Sequence, residues 1–247
     1  MNHNNWIFLR GLTRGNIHWA EFPQIFKLQK PEVVIELLEI PGNGETHNIE
    51  TPLNPEEVIN FLRKKSKFVQ QNQKFNICGI SLGGMLALKW TELHPSDINS
   101  VSIINSSLGQ YSSFYHRLNL FNIGKVLTAL FEVDPEKQEE TILNMTSNKL
   151  KENKKYIKAF AEYSSQYPVS KKNFFRQLAL ANEIVIHDLP EVPLKVICSQ
   201  QDRLVDPVCS LQIQSMLGGT LIEHPTAGHD LPLDEPEWLS KVLLSRV

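Results

Sequence analysis

Gly79-Ile80-Ser81-Leu82-Gly83-Gly84 follows the apolar run Phe75-Asn76-Ile77-Cys78 and runs straight into a second apolar stretch, Leu82 to Leu93, that stops at His94-Pro95. The first stretch reads as a buried strand and the second as a helix ended by proline. Between them stands G-x-S-x-G. A strand-to-helix turn this sharp holds its serine in a strained conformation with the hydroxyl exposed. Glycines at Gly79 and Gly83 leave room for strand and helix backbones to approach. The helix start supplies backbone N–H groups and a positive dipole end where an oxyanion would form. By residue frequencies alone the pattern arises in roughly one chain in ten of this length. The flanking strand and helix are what make it informative.

Outward from this turn the chain alternates. Trp6-Ile7-Phe8-Leu9 predicts a short buried strand, closed by Arg10-Gly11-Leu12-Thr13-Arg14-Gly15. Val33 to Leu38 predicts a second, closed by Pro41-Gly42-Asn43-Gly44. Asn54 as cap, Pro55 at the first position and Glu56-Glu57 in the first turn open a helix, with Val58, Phe61, Leu62, Phe68 and Val69 at helical spacing. Val101 to Ile104, Leu194 to Cys198 and Thr220 to Ile222 are further strands. A helix near Asp206-Pro207 separates the last two, and another opens at Glu235-Pro236-Glu237. Such alternation predicts an α/β fold with a mostly parallel sheet of about six strands, covered by helices on both faces.

One segment departs from the pattern. Residues 109–185 carry helical signals at Tyr115 to Phe131, Pro135 to Met145, Leu150 to Tyr163 and Lys171 to Asn182, and no convincing strand. This is far more than one crossover needs. It predicts a helical cap of residues 109–185 inserted into a core of residues 1–108 and 186–247.

Bulk properties frame the function. The chain has 247 residues, 41% hydrophobic and 21% charged, with a net charge of −2, so no whole-chain charge argues for nucleic acid or a membrane surface. No apolar run reaches the length of a membrane span or a signal-peptide core. Three cysteines, Cys78, Cys198 and Cys209, are too few for a disulfide framework, and a reducing cytoplasmic location is expected.

A serine hydroxyl becomes a nucleophile only when a base takes its proton. Of eight histidines, His229 lies in Thr226-Ala227-Gly228-His229-Asp230, between the last strand and the last helix. That is the sheet edge where open α/β sheets carry their sites. His224 precedes Pro225 and His94 precedes Pro95, which suits structural roles. His3, His18, His47, His116 and His187 have no supporting context. A carboxylate to orient the imidazole is expected shortly after the strand ending at Cys198, where Asp202 stands. Asp206, directly before Pro207, fits a helix cap and remains the alternative acid. After the preceding strand stand Asn105 and Ser106, with no carboxylate.

With its elbow motif and the order Ser81, Asp202, His229, the chain resembles the α/β-hydrolase superfamily over essentially its whole length. The resemblance implies a start at what is normally the family's third strand. It also implies an oxyanion hole formed by the backbone N–H groups of Leu82 and Leu12. Two departures stand out: Arg10-Gly11 where the family often has His-Gly, and Asn43 where it often has His. Arg10 either turns toward an anionic group in the pocket or forms a structural ion pair. The implied activity is that of a serine hydrolase cleaving a carboxylic ester or thioester through an acyl-enzyme. Its partner is a small-molecule ester, and no cofactor or metal is expected, since neither a ligand cluster nor a phosphate loop is present. More loosely, the chain is similar to the superfamily's menaquinone-pathway lyases, which pocket arginines at Arg10 and Arg14 would favour. A non-enzymatic binding role on the same scaffold is disfavoured by the complete set of three residues.

Residues 109–185 hold 11 Lys+Arg against 8 Asp+Glu, a net of +3, leaving −5 for the remainder. Lys151, Lys154, Lys155 and Lys158 fall on one helical face, with Lys149, Lys171, Lys172 and Arg176 adding to the charge. A solvated helix face accounts for this. A docking site for an acidic carrier protein, as in the superfamily's pimeloyl-carrier-protein methyl ester esterases, is the functional alternative.

Overall fold

The computed structural model describes residues 4–150 and 152–245. Six strands form one sheet: β1 (Asn5–Leu9), β2 (Val34–Leu38), β3 (Phe75–Ile80), β4 (Ile98–Ile104), β5 (Leu194–Ser199) and β6 (Thr220–His224). They are ordered β2-β1-β3-β4-β5-β6, and every pair is parallel. Parallel neighbours require crossovers, which here are mostly helical. The helices of the core are α1 (Phe22–Gln29), α2 (Pro55–Lys65), α3 (Lys67–Gln70), α4 (Leu82–Leu93), then, after the segment described next, α10 (Val208–Leu217), α11 (Leu231–Asp234) and α12 (Pro236–Leu244). Between β4 and β5 lie α5 (Phe114–Arg117), α6 (Ile123–Phe131), α7 (Pro135–Thr146), α8 (Lys154–Gln166) and α9 (Lys171–Glu183), with no strand among the described residues.

A strand buried on both faces needs apolar side chains at every position, and β1 shows how they divide. Ile7 and Leu9 join a core with Leu62 of α2, Leu86 and Trp90 of α4 and Ile213 of α10. Trp6 and Phe8 point the other way, onto Phe22 and Phe26 of α1 and Leu239 and Leu243 of α12. Phe8 meets Phe22 and Phe26 edge-on, with ring centroids 5.3 and 5.5 Å apart. Each side chain of this size taken wholly out of water contributes about 1.5–3 kcal/mol. A third, smaller cluster of Leu143, Ile157, Phe160 and Leu233 binds α7 and α8 to α11.

Several boundaries differ from those the spacing predicts. The run from Asn54 to Val69 is two helices, because Ser66 turns extended and accepts from the Val69 N–H with its hydroxyl, capping α3. Tyr115 to Phe131 is also broken, into α5, a 3-10 turn at Leu120–Asn122 and α6. There Asn119 N–H donates to the Leu204 carbonyl and Asn122 Nδ2 to the Arg203 carbonyl, so bonds to a distant loop replace the helix's own. α8 starts at Lys154 rather than Leu150, because Asn153 caps it by accepting from Lys155 N–H. The helix after Asp206 begins at Val208, one residue later than a cap at Asp206 predicts.

Candidate active site

Ser81 joins β3 to α4 with φ +55° and ψ −121°, a region that residues with a side chain seldom occupy. The turn is held on both sides: Ser81 N–H donates to the Ile104 carbonyl at 2.9 Å, and Ser106 Oγ donates to the Ser81 carbonyl at 2.7 Å. Two glycines make it sterically possible. A Cβ on Gly79 would lie 2.1 Å from the Gly83 carbonyl oxygen, and one on Gly83 would lie 2.3 Å from that of Leu9. Leu82 is the first residue of α4, so its N–H has no acceptor within the helix. Gly11 packs against Ser81, where an added Cβ would sit 3.1 Å from the serine Cβ, which brings the Gly11–Leu12 backbone to the elbow.

His229 lies beyond β6. Its Nδ1 is 2.6 Å from Asp202 Oδ2, with the carboxylate 1% exposed. Asp202 Oδ1 accepts from Leu204 N–H (2.7 Å) and Val205 N–H (3.0 Å), so both oxygens of this buried acid are engaged. Asp206 is turned elsewhere, accepting from Val208 N–H and lying 2.9 Å from His116 Nδ1. His224 is structural: its Nδ1 accepts from Thr226 and Ala227 N–H, and its ring stands edge-on to Trp238. The thiol of Cys78 is wholly buried, and burial pushes its pKa far up, which suits a core side chain and not a nucleophile.

The loop carrying His229 is braced by residues without a signature in the sequence. Asn105, at φ +46°, donates from Nδ2 to the His229 carbonyl at 2.8 Å and accepts from Ser199 N–H, tying the ends of β4, β5 and the loop together. Asp234 accepts from Gly228 N–H and from Ser147 Oγ and Asn148 N–H beyond α7. Asp230 N–H donates to the Thr146 carbonyl. Arg10 forms a double contact to Asp230 at 3.0 and 2.6 Å, with both side chains 4% exposed and the guanidinium over the Trp19 ring. Of the two fates open to Arg10, the structure has the ion pair. Burial alone would raise the Asp230 carboxyl, but Arg10, with Arg14 and His229, holds it below the ordinary carboxylate value.

Ser81, His229, Gly11 and Leu12 line one cavity of about 460 Å³. Its far walls come from the helices between β4 and β5, where Leu130, Ile142, Met145 and Phe174 are apolar. A polar corner is formed by Arg14, Glu139 and His18. Arg14 Nη1 contacts both Glu139 oxygens at 3.0 and 2.8 Å, and His18 Nε2 is 3.9 Å from Glu139. Burial, aided by Arg14, lowers His18 to about 4, so the imidazole is neutral at physiological pH. Burial acts against the Glu139 carboxylate, but the Arg14 guanidinium outweighs it and holds it far below its usual value. Asn43 accepts from Gln177 Nε2 and donates to the Arg14 carbonyl, bracing this corner.

The basic face is less free than its charge count predicts. Lys151 lies outside the described residues. Lys155 pairs with Glu21, Lys149 with Glu235, and Lys172 and Arg176 with Glu50. Among the described residues no cluster of His, Cys, Asp and Glu is arranged to hold a metal ion, and no helix is long and apolar enough to cross a membrane.

A sequence model described as the alpha/beta hydrolase family matches residues 6–242. Monoacylglycerol lipase of Homo sapiens is 21% identical over 256 aligned positions, covering 96% of this chain and 73% of that protein. Among solved structures, the 2-hydroxy-6-oxo-6-phenylhexa-2,4-dienoate hydrolase of Rhodococcus sp. strain RHA1 superposes with a TM-score of 0.75 at 16% identity, covering 98% of this chain and 89% of that one. The enol-lactonase of Burkholderia xenovorans LB400 gives 0.74 at 14% identity, covering 99% and 91%.

Proposed function

The chain belongs to the alpha/beta hydrolase family, and from that premise we propose that it hydrolyses a carboxylic ester or thioester with Ser81 as nucleophile, His229 as base and Asp202 as the acid that orients it. The observation that carries this reading is the 2.6 Å contact of His229 Nδ1 with the buried Asp202, on the wall of the cavity that Ser81 also lines. With Nδ1 held by the carboxylate, Nε2 is the nitrogen left to accept the serine proton. Ser81 Oγ attacks the carbonyl carbon, and the resulting oxyanion is received by the N–H groups of Leu82 and Leu12, each worth about 2.7–4 kcal/mol in such sites. His229 protonates the leaving group, and an acyl-enzyme remains. His229 then activates water to release the acid.

The apolar helices facing Ser81 favour a substrate with a hydrocarbon acyl or alcohol portion, and we assign residues 109–185 the part of a cap over a core of residues 1–108 and 186–247. The lyase alternative needs cationic groups free to meet an anionic substrate. Arg10 and Arg14 each face a buried carboxylate instead, which weighs against it. Docking of an acidic carrier protein is weakened in the same way by the pairing of Lys155 with Glu21.

A panel of nitrophenyl esters of increasing chain length, with fluorophosphonate labelling, tests the assignment. Wild type should show a burst of nitrophenol and label at one site. Ser81→Ala should do neither while keeping its fold by circular dichroism. Full labelling of that variant would remove Ser81 from the mechanism.

A further inference from the structure

The segment from α5 through the Leu120–Asn122 turn to α6 exposes a set of side chains that soluble proteins seldom leave open. Phe114, Tyr115, Leu120, Phe121, Leu127 and Phe131 all lie open to solvent within eighteen residues, and Phe121 is 94% exposed. Scattered apolar residues are ordinary on a surface, but a contiguous group of large ones marks an interaction site. This exposure does not come from a loose segment. The turn bearing Phe121 is pinned through Asn119 to the Leu204 carbonyl and through Asn122 to the Arg203 carbonyl.

Three features say what this face meets. First, charge: the 34 residues from Ile98 to Phe131 contain no Asp or Glu, whereas Lys125 is exposed and Lys171 Nζ stands 4.3 Å over the Phe131 ring. The first carboxylate after the stretch, Glu132, is folded back onto the N–H groups of Val133 and Asp134. Second, continuity: α6 presents Val126 and Leu130 to the cavity, while Leu127 and Phe131, each one residue further on, project about 100° around the helix into solvent. Val133 belongs to the cavity lining and is itself 93% exposed, so the cavity reaches the surface beside the apolar group. Third, shape: aromatic and aliphatic side chains that protrude and are flanked by lysines suit insertion into an interfacial layer with anionic headgroups.

We infer that α5, the Leu120–Asn122 turn and α6 form a docking face for the anionic surface of a lipid bilayer, held there peripherally with the cavity mouth against the lipid. The inference goes beyond the assignment of Ser81 and needs no turnover. A substrate with a hydrocarbon chain could then pass from the lipid along α6 into the cavity without crossing water.

Flotation of the full chain with vesicles of phosphatidylcholine alone, or of phosphatidylcholine mixed with phosphatidylglycerol, reads this directly. Wild type should float with the mixed vesicles, more weakly with the neutral ones, and less as salt rises. Phe121→Ser/Leu127→Ser/Phe131→Ser alters no residue lining the cavity. It should lose at least about tenfold in vesicle affinity while its rate on a short water-soluble ester stays within about twofold. Lys125→Glu should weaken the preference for phosphatidylglycerol, with Lys171 remaining beside the face. Wild type that stays unbound on both vesicles overturns the inference, as does a triple variant that floats like wild type or a phosphatidylglycerol preference that Lys125→Glu leaves undiminished. A concentration-dependent dimer that the triple variant abolishes, seen by sedimentation velocity, would assign the face to a second copy of the chain instead.

Discussion

Replacing Arg10 by Met leaves the Asp230 carboxyl buried and without its partner. The two side chains are each 4% exposed, and both carboxylate oxygens contact the guanidinium, so water cannot take over its role without opening the site. Breaking one side of such a pair costs about 3–5 kcal/mol, while replacing both partners by apolar groups is often close to neutral. For a chain of 247 residues the single change corresponds to a loss of melting temperature on the order of 10 °C. Arg10 belongs to the loop of Gly11 and Leu12, and Asp230 follows His229 directly, so the pair also sets the distance between the proposed oxyanion donor and the proposed base. Urea unfolding and kcat/KM on a short ester should therefore move together in Arg10→Met, with kcat/KM down about 100-fold at a temperature where the variant is folded. Arg10→Met/Asp230→Leu should recover most of the stability and little of the activity. A single variant destabilised by less than about 1 kcal/mol, or one as active as wild type, would refute this account of the pair.

Two further changes separate neighbouring groups. Asp202→Asn should lower kcat by about 10⁴, whereas Asp206→Asn should cost about 1 kcal/mol of stability and leave kcat near wild type; the opposite pattern in steady-state kinetics would make Asp206 the acid. An imidazole that is neutral when buried and ordinary when unfolded gains a proton on unfolding, so stability falls as pH drops from 6.5 towards about 4. Between pH 6.5 and 4.5, above the range where Glu139 contributes, wild type should lose about 2–3 kcal/mol that His18→Asn does not, as measured by urea titration at each pH.

The elements easiest to read in the sequence are those with chemical punctuation. β3 and α4 begin and end where the residues predict, since glycine at one end and His94-Pro95 at the other leave no choice. The break between α5 and α6 has no glycine or proline to announce it. It is caused by Asn119 and Asn122 bonding to residues about eighty positions away, which local periodicity cannot register. The same limit applies at the site. Pro207 marks Asp206 as a cap and so favours Asp202, but the residues alone leave both open as the acid, and it is the Asp202 contact to His229 Nδ1 that sets them apart. Arg10 could not be resolved, since its partner lies 220 residues away, and Asn105 and Asp234 look like ordinary polar residues until the loops they brace are in place.

The sheet order places the site's parts at the ends of strands made at very different times. Leu12 follows β1, Ser81 follows β3, Asp202 follows β5 and His229 follows β6, which occupies the far edge of the sheet. Parallel strands pair only after long connections close, and those closures are slow. A chain folding from its first strands thus acquires its elbow and much of its core while it still has no base. His229 arrives with the last strand, and Asn105 then locks its carbonyl to the end of β4. Hydrolytic competence on the proposed site therefore requires the last strand to be docked: with β6 undocked, Ser81 would lack its proposed base.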